Sequence, residues 1–589
     1  MLTRTAVTAA ALAAATSVRA AEVWTAPATE KIRPSAAARL SSSARISAAG
    51  NEFEAFQVVV TGAAANVRAS ASPLAGPGGA VPVRLYREDL IDVRTPSALD
   101  GGTGAWPDAL VPEVDEVVGE ARRAFPFSVA AGQSRAVWAE VHVPPGAAPG
   151  EYAGAVKVTW DGGQASVPVA LTVWPFSLPS TASLKSAFGL SYGTLQAAHA
   201  VAGDGLSALR SRYGALALDH RVTLSKIDDG NPDLSHFSSF YGAQLDGFAR
   251  TALQGARLTA LEFVGRSAYG AWADWFDGRG WGDRLFQYTC DEPPLTCAWA
   301  DIPARAATAR AATPPLRTLV TTSIDEANAH GVTSSIDVMV PVVNFMDDKP
   351  GRARSGDQRG KYETFLAGSP RREVWLYQSC MSHGCGGTVN MGSPTDDDHY
   401  YTGWPSYMID AAASRNRAMQ WLAFKYRASG ELYYETAMAF SHDPWANQWD
   451  FSGNGDGTLF YPGTVARIGG KTDVPVASIR LKLIREGMED YEYLRLLADA
   501  GDEGFAREVV DGLFPNAYAT EVSPDALMAA REKLAQRIVS KGLAGEAPGP
   551  GPGPGLELPP DRGSRGCATG GGAGLLALAA LAWLARRRR

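Results

Sequence analysis

RLFQYTCDEPPLTCAWADIPARAATARAATPPLRTLVTTS, residues 284–323, decides how the larger part of this chain folds. A short apolar run ends at Cys290, a proline-rich turn follows, an alanine-rich helical stretch covers 300–312, and a second short apolar run occupies 316–323. Strand, helix, strand in that order predicts a parallel pair, because parallel neighbours need a long crossover between them. The rhythm continues on both sides. LKSAFGLS, RVTLSKI, RLTALEFVG, SIDVMVPVV, EVWLYQSC and GELYYETAMAF are further candidate strands, with helical stretches such as LSALRSRYGALALDH and ASRNRAMQWLAFKYRA between them. Eight strands, each followed by helical or looped chain, predict a (β/α)8 barrel over residues 180–500. Its last helix would be VASIRLKLIREGMEDYEYLRLLADAG, where Ile479, Leu483, Met488, Tyr491 and Leu494 recur at helical spacing. Residues 501–545 read as C-terminal helices.

Residues 22–179 have another texture. NEFEAFQVVVTG, PVRLYRE, SRAVWAEVHVPP, GEYAGAVKVTW and QASVPVALTVWP are short, rich in valine and aromatics, and separated by Gly/Pro turns. That pattern predicts an antiparallel β-sandwich, a support or docking module rather than the catalytic half. Two domains are also what 589 residues require, since single cores stop growing near ~250–300 residues.

Both ends read as addresses. Residues 1–20 carry Arg4, an alanine-rich apolar run and small residues around Val18-Arg19-Ala20, the form of a secretory signal. Residues 546–565 form a Pro/Gly linker that cannot pack a core. Residues 566–589 hold Gly566-Cys567, an apolar run from Ala573 to Ala585, and Arg586 to Arg589. This tail resembles the MYXO-CTERM type of bacterial C-terminal sorting signal, which implies delivery to the cell surface through sorting machinery acting at Cys567; a plain membrane anchor is the alternative. The formal charge is −7, and setting aside the six arginines of the two ends leaves a body at −13. Such an acidic body has no basic footprint for nucleic acid.

Five cysteines occur, four of them in the body. In an oxidising compartment these can pair in three ways. The local pairs Cys290 with Cys297 and Cys380 with Cys385 are expected, since each closes a short loop. Neither spacing is that of a zinc site, and no metal or cofactor is expected.

Barrel enzymes work at the C-terminal ends of their strands, so chemistry is sought there. The fourth strand runs into Asp291 and Glu292. Neighbours on a regular strand point to opposite faces. Pro293, which has no amide hydrogen for the ladder, stops regular pairing and frees both acids to face one site. At other strand exits Asn344 and Tyr377 are pocket candidates, and after the eighth strand Trp445, Trp449 and Tyr461 offer flat faces for sugar C–H groups, with Asp456 nearby for hydroxyls.

The phrases NEFEAFQ (51–57), WPDAL (106–110), PGEYAG (149–154), the triplet Asp291-Glu292-Pro293, Asp443-Pro444-Trp445, GDGTLFYPG (455–463), Ser478-Ile479-Arg480 and REGMEDYEY (485–493) together resemble glycoside hydrolase family 123 over about residues 30–500. The resemblance implies a β-sandwich followed by a (β/α)8 barrel, and exo-action on a glycan or glycoconjugate ending in β-linked N-acetylgalactosamine. It also implies that Glu292 is the general acid/base and Asp291 the residue that orients the acetamido group. The chemistry is compatible. A two-carboxylate retaining enzyme needs its acids ~5 Å apart across the anomeric carbon, and consecutive residues are poorly placed for that. They suffice where the substrate's own acetamido oxygen is the nucleophile. Two readings stay open beside this one: ordinary two-carboxylate chemistry with Glu262 or Glu435 as partner to Glu292, and a non-catalytic glycan-binding surface protein.

Overall fold

The computed structural model describes residues 21–545, apart from 229, 264–267, 386 and 388. The signal-like segment, the Pro/Gly linker and the tail with Cys567 lie outside the described residues.

The N-terminal part builds two sheets around one apolar core. The first sheet runs Glu22–Pro27, Glu52–Thr61, Ser134–Val143, Val83–Val93, Gly104–Pro112, antiparallel throughout. The second has Ala44–Gly50, Gly163–Ser177, Gly150–Trp160, Ala64–Ala71 and Phe127–Val129 as its main path, with only its first pair parallel. Phe56, Val58, Val60, Val137 and Val141 of the first meet Val156, Val158, Val167, Val169 and Leu171 of the second. Alternation explains the second sheet: Val167, Val169, Leu171 and Val173 turn inward, with more exposed residues between them. Strand Glu52–Thr61 does not alternate, and it is buried from Glu52 to Val60. The reason is the second face of its sheet, where Ala55, Tyr86, Leu110 and Trp138 pack on Ile479 and Leu483 of the next domain.

That domain is a nearly closed ring of seven parallel strands. Their order is Lys185–Phe188, Gly430–Tyr433, Glu373–Tyr377, Val338–Met339, Arg317–Val320, Leu285–Cys290, Leu261–Glu262. The expected strand at RVTLSKI is not a regular strand but an extended segment in the remaining gap. Phe188 N donates to Thr223 O and Ser225 N to Phe188 O, both at 2.9 Å, and Glu262 N donates to Ser225 O at 2.9 Å. Ala187, Ala260, Phe286, Leu319, Val338, Trp375 and Leu432 fill the interior, with Tyr288 and Tyr377 packed against them.

Helix Ile479–Asp499 joins the two domains. Ser478 caps it, its hydroxyl accepting Leu481 N at 3.1 Å. The apolar stripe read from the sequence is present, but every residue from Ile479 to Leu494 is buried, charged ones included. These find partners on the first sheet and in the barrel. Arg480 holds Asp108 through two bonds of 2.9 and 2.8 Å, Lys482 Nζ lies 3.0 and 3.1 Å from Glu116 and Glu140, and Arg485 donates to Glu140. On the barrel side Asp490 accepts two bonds from Arg417 at 2.6 and 2.7 Å, and Glu489 faces Arg221 at 3.2 Å. Gly487 lets the neighbouring helix approach, because a Cβ there would run into Gln420 Oε1 and the Arg417 carbonyl. Helices Glu503–Leu513 and Pro524–Ser540 pack against the far side, and Arg531 of the latter reaches Glu52, Glu54, Glu486 and Asp490.

Removing one partner of a buried pair strands the other charge, at about 3–5 kcal/mol. Asp108→Ala is therefore expected to destabilise by about that amount in reversible denaturation, and a change below about 0.5 kcal/mol would be only that of a neutral surface position.

Candidate active site

Strand Leu285–Cys290 pairs with Arg317–Val320 in register up to Tyr288 with Leu319, and then Cys290, not Thr289, meets Val320. One extra residue at Thr289 makes a bulge, which bends the strand and re-aims the residues beyond it. Glu292 then adopts φ 42°, a left-handed backbone uncommon for a residue other than glycine. Bulge and left-handed turn, together with the prolines, carry both acids out of the pleat at the C-terminal mouth of the ring. The loop beyond is closed by the Cys290–Cys297 disulfide, Cα atoms 6.0 Å apart, and Leu295 N returns to Glu292 O at 2.8 Å. Cys380 and Cys385 are also bonded, with Cα atoms 4.8 Å apart.

Each acid is held through one oxygen. Tyr288 OH donates to Asp291 Oδ1 at 2.6 Å, and Thr321 Oγ1 donates to the same oxygen at 2.9 Å. Tyr377 OH donates to Glu292 Oε1 at 2.6 Å. No described residue donates to Asp291 Oδ2 or Glu292 Oε2, so both are open to a ligand. Asp291 is exposed and Glu292 half-buried. Burial raises the Glu292 pKa, the charge of Asp291 adds to this, and the Tyr377 hydrogen bond opposes it. Burial and the adjoining carboxylates push Tyr288 and Tyr377 well above the ordinary phenol range, so both stay protonated donors.

Two further acids stand at the mouth. Glu435 is saturated: its oxygens accept Ser191 N at 3.1 Å, Ser191 Oγ at 2.5 Å, Thr436 N at 2.8 Å and Ala437 N at 2.9 Å. Glu262 faces Lys226 Nζ at 3.5 Å, and burial holds its pKa above the ordinary value against the opposing pull of that ammonium.

The structure brings Tyr377 to the acid pair and scatters the other pocket candidates. Trp445 and Tyr461 lie on the seam between the domains, their rings 4.8 Å apart and Tyr461 OH donating to Asp108 Oδ2 at 2.7 Å. Asn344 is fully buried and donates to Met381 O at 3.1 Å and Tyr400 OH at 3.3 Å. Asp456 is buried too, accepting from Tyr433 OH at 3.2 Å and lying 3.3 Å from His383 Nε2. Trp449 is half-buried in a small hairpin whose Phe451 ring stands 5.7 Å from the ring of Tyr434, at the exit of strand Gly430–Tyr433. Tyr288 and Thr321 were missed by the sequence reading. Both sit on strands it identified, and the rule of inspecting strand exits applies equally to them.

Residues 396–497 match the family model described as the glycoside hydrolase 123 catalytic domain. Among solved structures, a family 123 glycoside hydrolase from Clostridium perfringens, described as acting in glycolipid glycan hydrolysis, superposes with a TM-score of 0.62. It is 13% identical over 89% of this chain and 100% of its own. A glycosyl hydrolase family 2 member from Bacteroides cellulosilyticus is 9% identical over 69% of this chain and 45% of its own, with a TM-score of 0.21, too low to bear on the fold. No curated protein matches.

Because the Tyr377 hydrogen bond stabilises ionised Glu292, Tyr377→Phe is expected to raise the Glu292 pKa further. A ¹³C-carboxyl titration checks this, and a fall on removing the hydroxyl would contradict it.

Proposed function

We propose that this chain, a glycoside hydrolase by its catalytic-domain match and fold, removes terminal β-linked N-acetylhexosamine from glycans, with N-acetylgalactosamine as the preferred sugar. The two facing β-layers are read as a β-sandwich and the parallel ring as a (β/α)8 barrel. The reaction proceeds with substrate assistance. Glu292, protonated at the start, gives its proton to the glycosidic oxygen, while the acetamido oxygen attacks C1 from the opposite face and the aglycone leaves. The acetamido N–H donates to the free Asp291 oxygen, which holds the group in place for attack. Glu292, now a carboxylate, takes a proton from the water that opens the oxazoline at C1. The sugar is released in the β configuration.

One observation carries this reading: Asp291 and Glu292 are both anchored through a single oxygen at the barrel mouth and both keep the other free. A two-carboxylate mechanism lacks a comparable partner, since Glu435 is saturated by four donors and Glu262 is matched with Lys226. The raised pKa of Glu292 suits a group that must hold its proton near neutrality. By the leader-like and tail segments, the enzyme is exported and held at the cell surface or outer envelope.

Turnover is expected on aryl β-glycosides that carry the 2-acetamido group and not on those that lack it, with inhibition by a thiazoline mimic of the oxazoline. Glu292→Gln should lower kcat by about 10²- to 10⁴-fold. Near-wild-type activity of that variant, or equal hydrolysis of substrates without the acetamido group, would sink the proposal. The acid form of Glu292 is the active one, so kcat/KM should fall as pH rises through its elevated pKa. Asp291→Asn, by removing the neighbouring charge, should move that fall to lower pH.

A further inference from the structure

Two consecutive side chains can serve one site only if something outside their own strand fixes the backbone between them. Thr321, the first residue after strand Arg317–Val320, is buried and touches both halves of the pair. Its Oγ1 donates to Asp291 Oδ1 at 2.9 Å and accepts the Glu292 amide at 2.6 Å. A hydroxyl has one hydrogen and two lone pairs, so the two bonds coexist. The Glu292 amide lies beyond the last ladder pair, Cys290 with Val320, on a left-handed backbone, so its partner must come from outside the strand pairing. Tyr288 closes the cluster, its OH 2.6 Å from Asp291 Oδ1 and 3.4 Å from Thr321 Oγ1.

We propose that Thr321 is a positioning residue of the acid pair: its one hydroxyl locks the Asp291 carboxylate and the Glu292 backbone to a common point, which keeps the acceptor oxygen of one and the proton of the other aimed at a single sugar. Thr321 donates to neither free oxygen and meets the reaction only through the two acids. The inference rests on the reading that Asp291 and Glu292 carry the reaction. Charged and titratable neighbours of the pair are few. Tyr288 faces Asp291 and Tyr377 faces Glu292, while the charge of Asp291 reaches Lys226 and Glu262 through space. Of these Tyr288 also touches Thr321, 3.4 Å from its Oγ1, and its shorter bond of 2.6 Å to Asp291 does not depend on that hydroxyl.

Valine has the shape of threonine without its hydroxyl, and serine keeps the hydroxyl without the methyl. In the full chain, Thr321→Val is expected to lower kcat on an aryl β-N-acetylhexosaminide by about tenfold to a hundredfold, the scale of a small misplacement of catalytic groups. KM should stay within about threefold, because Thr321 makes no contact of its own to the sugar and the Tyr288 bond still holds Asp291. The alkaline limb of kcat/KM should move to lower pH, since Asp291 is no longer held against Glu292. Thr321→Ser should keep both kcat, within about threefold, and the position of the limb. A Val variant with unchanged kcat and limb would overturn the proposal, and so would a Ser variant that falls as far as Val, which would mark a packing role. Should thermal denaturation show that the Val variant is unfolded, the Ser variant decides alone, a loss above tenfold counting against the role. Inactive Glu292→Gln beside normal Thr321→Val would sink only the positioning role, whereas active Glu292→Gln would sink the reading of the pair.

Discussion

Helix Ile479–Asp499 sets the plan of the molecule through charges that it carries into the interior. Ion pairs of this kind do not come free: each partner loses its water, and replacing a pair with apolar residues is often neutral or better for stability. Their effect is directional. Arg480 on Asp108, Lys482 and Arg485 on Glu140, and Asp490 on Arg417 can all form only when the sheet, the helix and the barrel wall meet in one arrangement. Apolar contacts such as Ile479 and Leu483 against Leu110 and Trp138 would tolerate sliding. The ionic contacts do not.

That fixed arrangement explains why so many chemically suggestive residues have structural duties. Tyr461 shares Asp108 with Arg480, the Trp445 ring packs beside it at a tilt, and Asn454 donates to Thr95 O across the domain boundary. Aromatic and acidic residues concentrated in one loop can signal a sugar platform or a seam between domains, and composition alone does not separate the two. What separates them is partner geometry. Tyr377 ends a strand of the ring and Trp445 follows one, and it is Tyr377 that packs against the interior layer that also supports Tyr288.

The fold was legible in the sequence where periodicity was enforced by burial. The alternating strand over 163–177 and the β-α-β unit over 284–323 stand where their patterns placed them, because burial enforces each pattern. Val167, Val169 and Leu171 enter the core between the two sheets, Phe286 and Leu319 the ring interior, and Leu285 and Val320 the core outside it. Legibility failed at RVTLSKI, where a segment of only a few residues closes the ring with too few ladder bonds to form a regular strand. It failed again in helix Ile479–Asp499, whose amphipathic spacing concealed that its polar face is also buried, since long-range ion pairs leave no local signature. Within the candidate site, Asp291, Glu292 and Tyr377 were visible as polar residues at strand ends. Thr321 and Tyr288 were not, because a threonine and a tyrosine in β-strands are ordinary residues until their hydroxyls are seen to converge on one carboxylate.

The convergence also gives two chemically similar acids different surroundings. Asp291 is exposed and receives two hydroxyl donors on one oxygen. Glu292 is half-buried, receives one donor, and sits beside the charge of its neighbour, all on a backbone whose left-handed conformation costs about 1–3 kcal/mol. Such a residue holds its place only where the surroundings over-determine it. Here a disulfide-closed loop, two tyrosines rising from the barrel interior and a threonine from the next strand supply that constraint. Unequal burial and unequal donors are how one strand exit gives two adjacent carboxyls different surroundings. The inequality between Asp291 and Glu292 is therefore a property of the strand exit itself, set by the bulge, the left-handed turn and the hydroxyls that meet there.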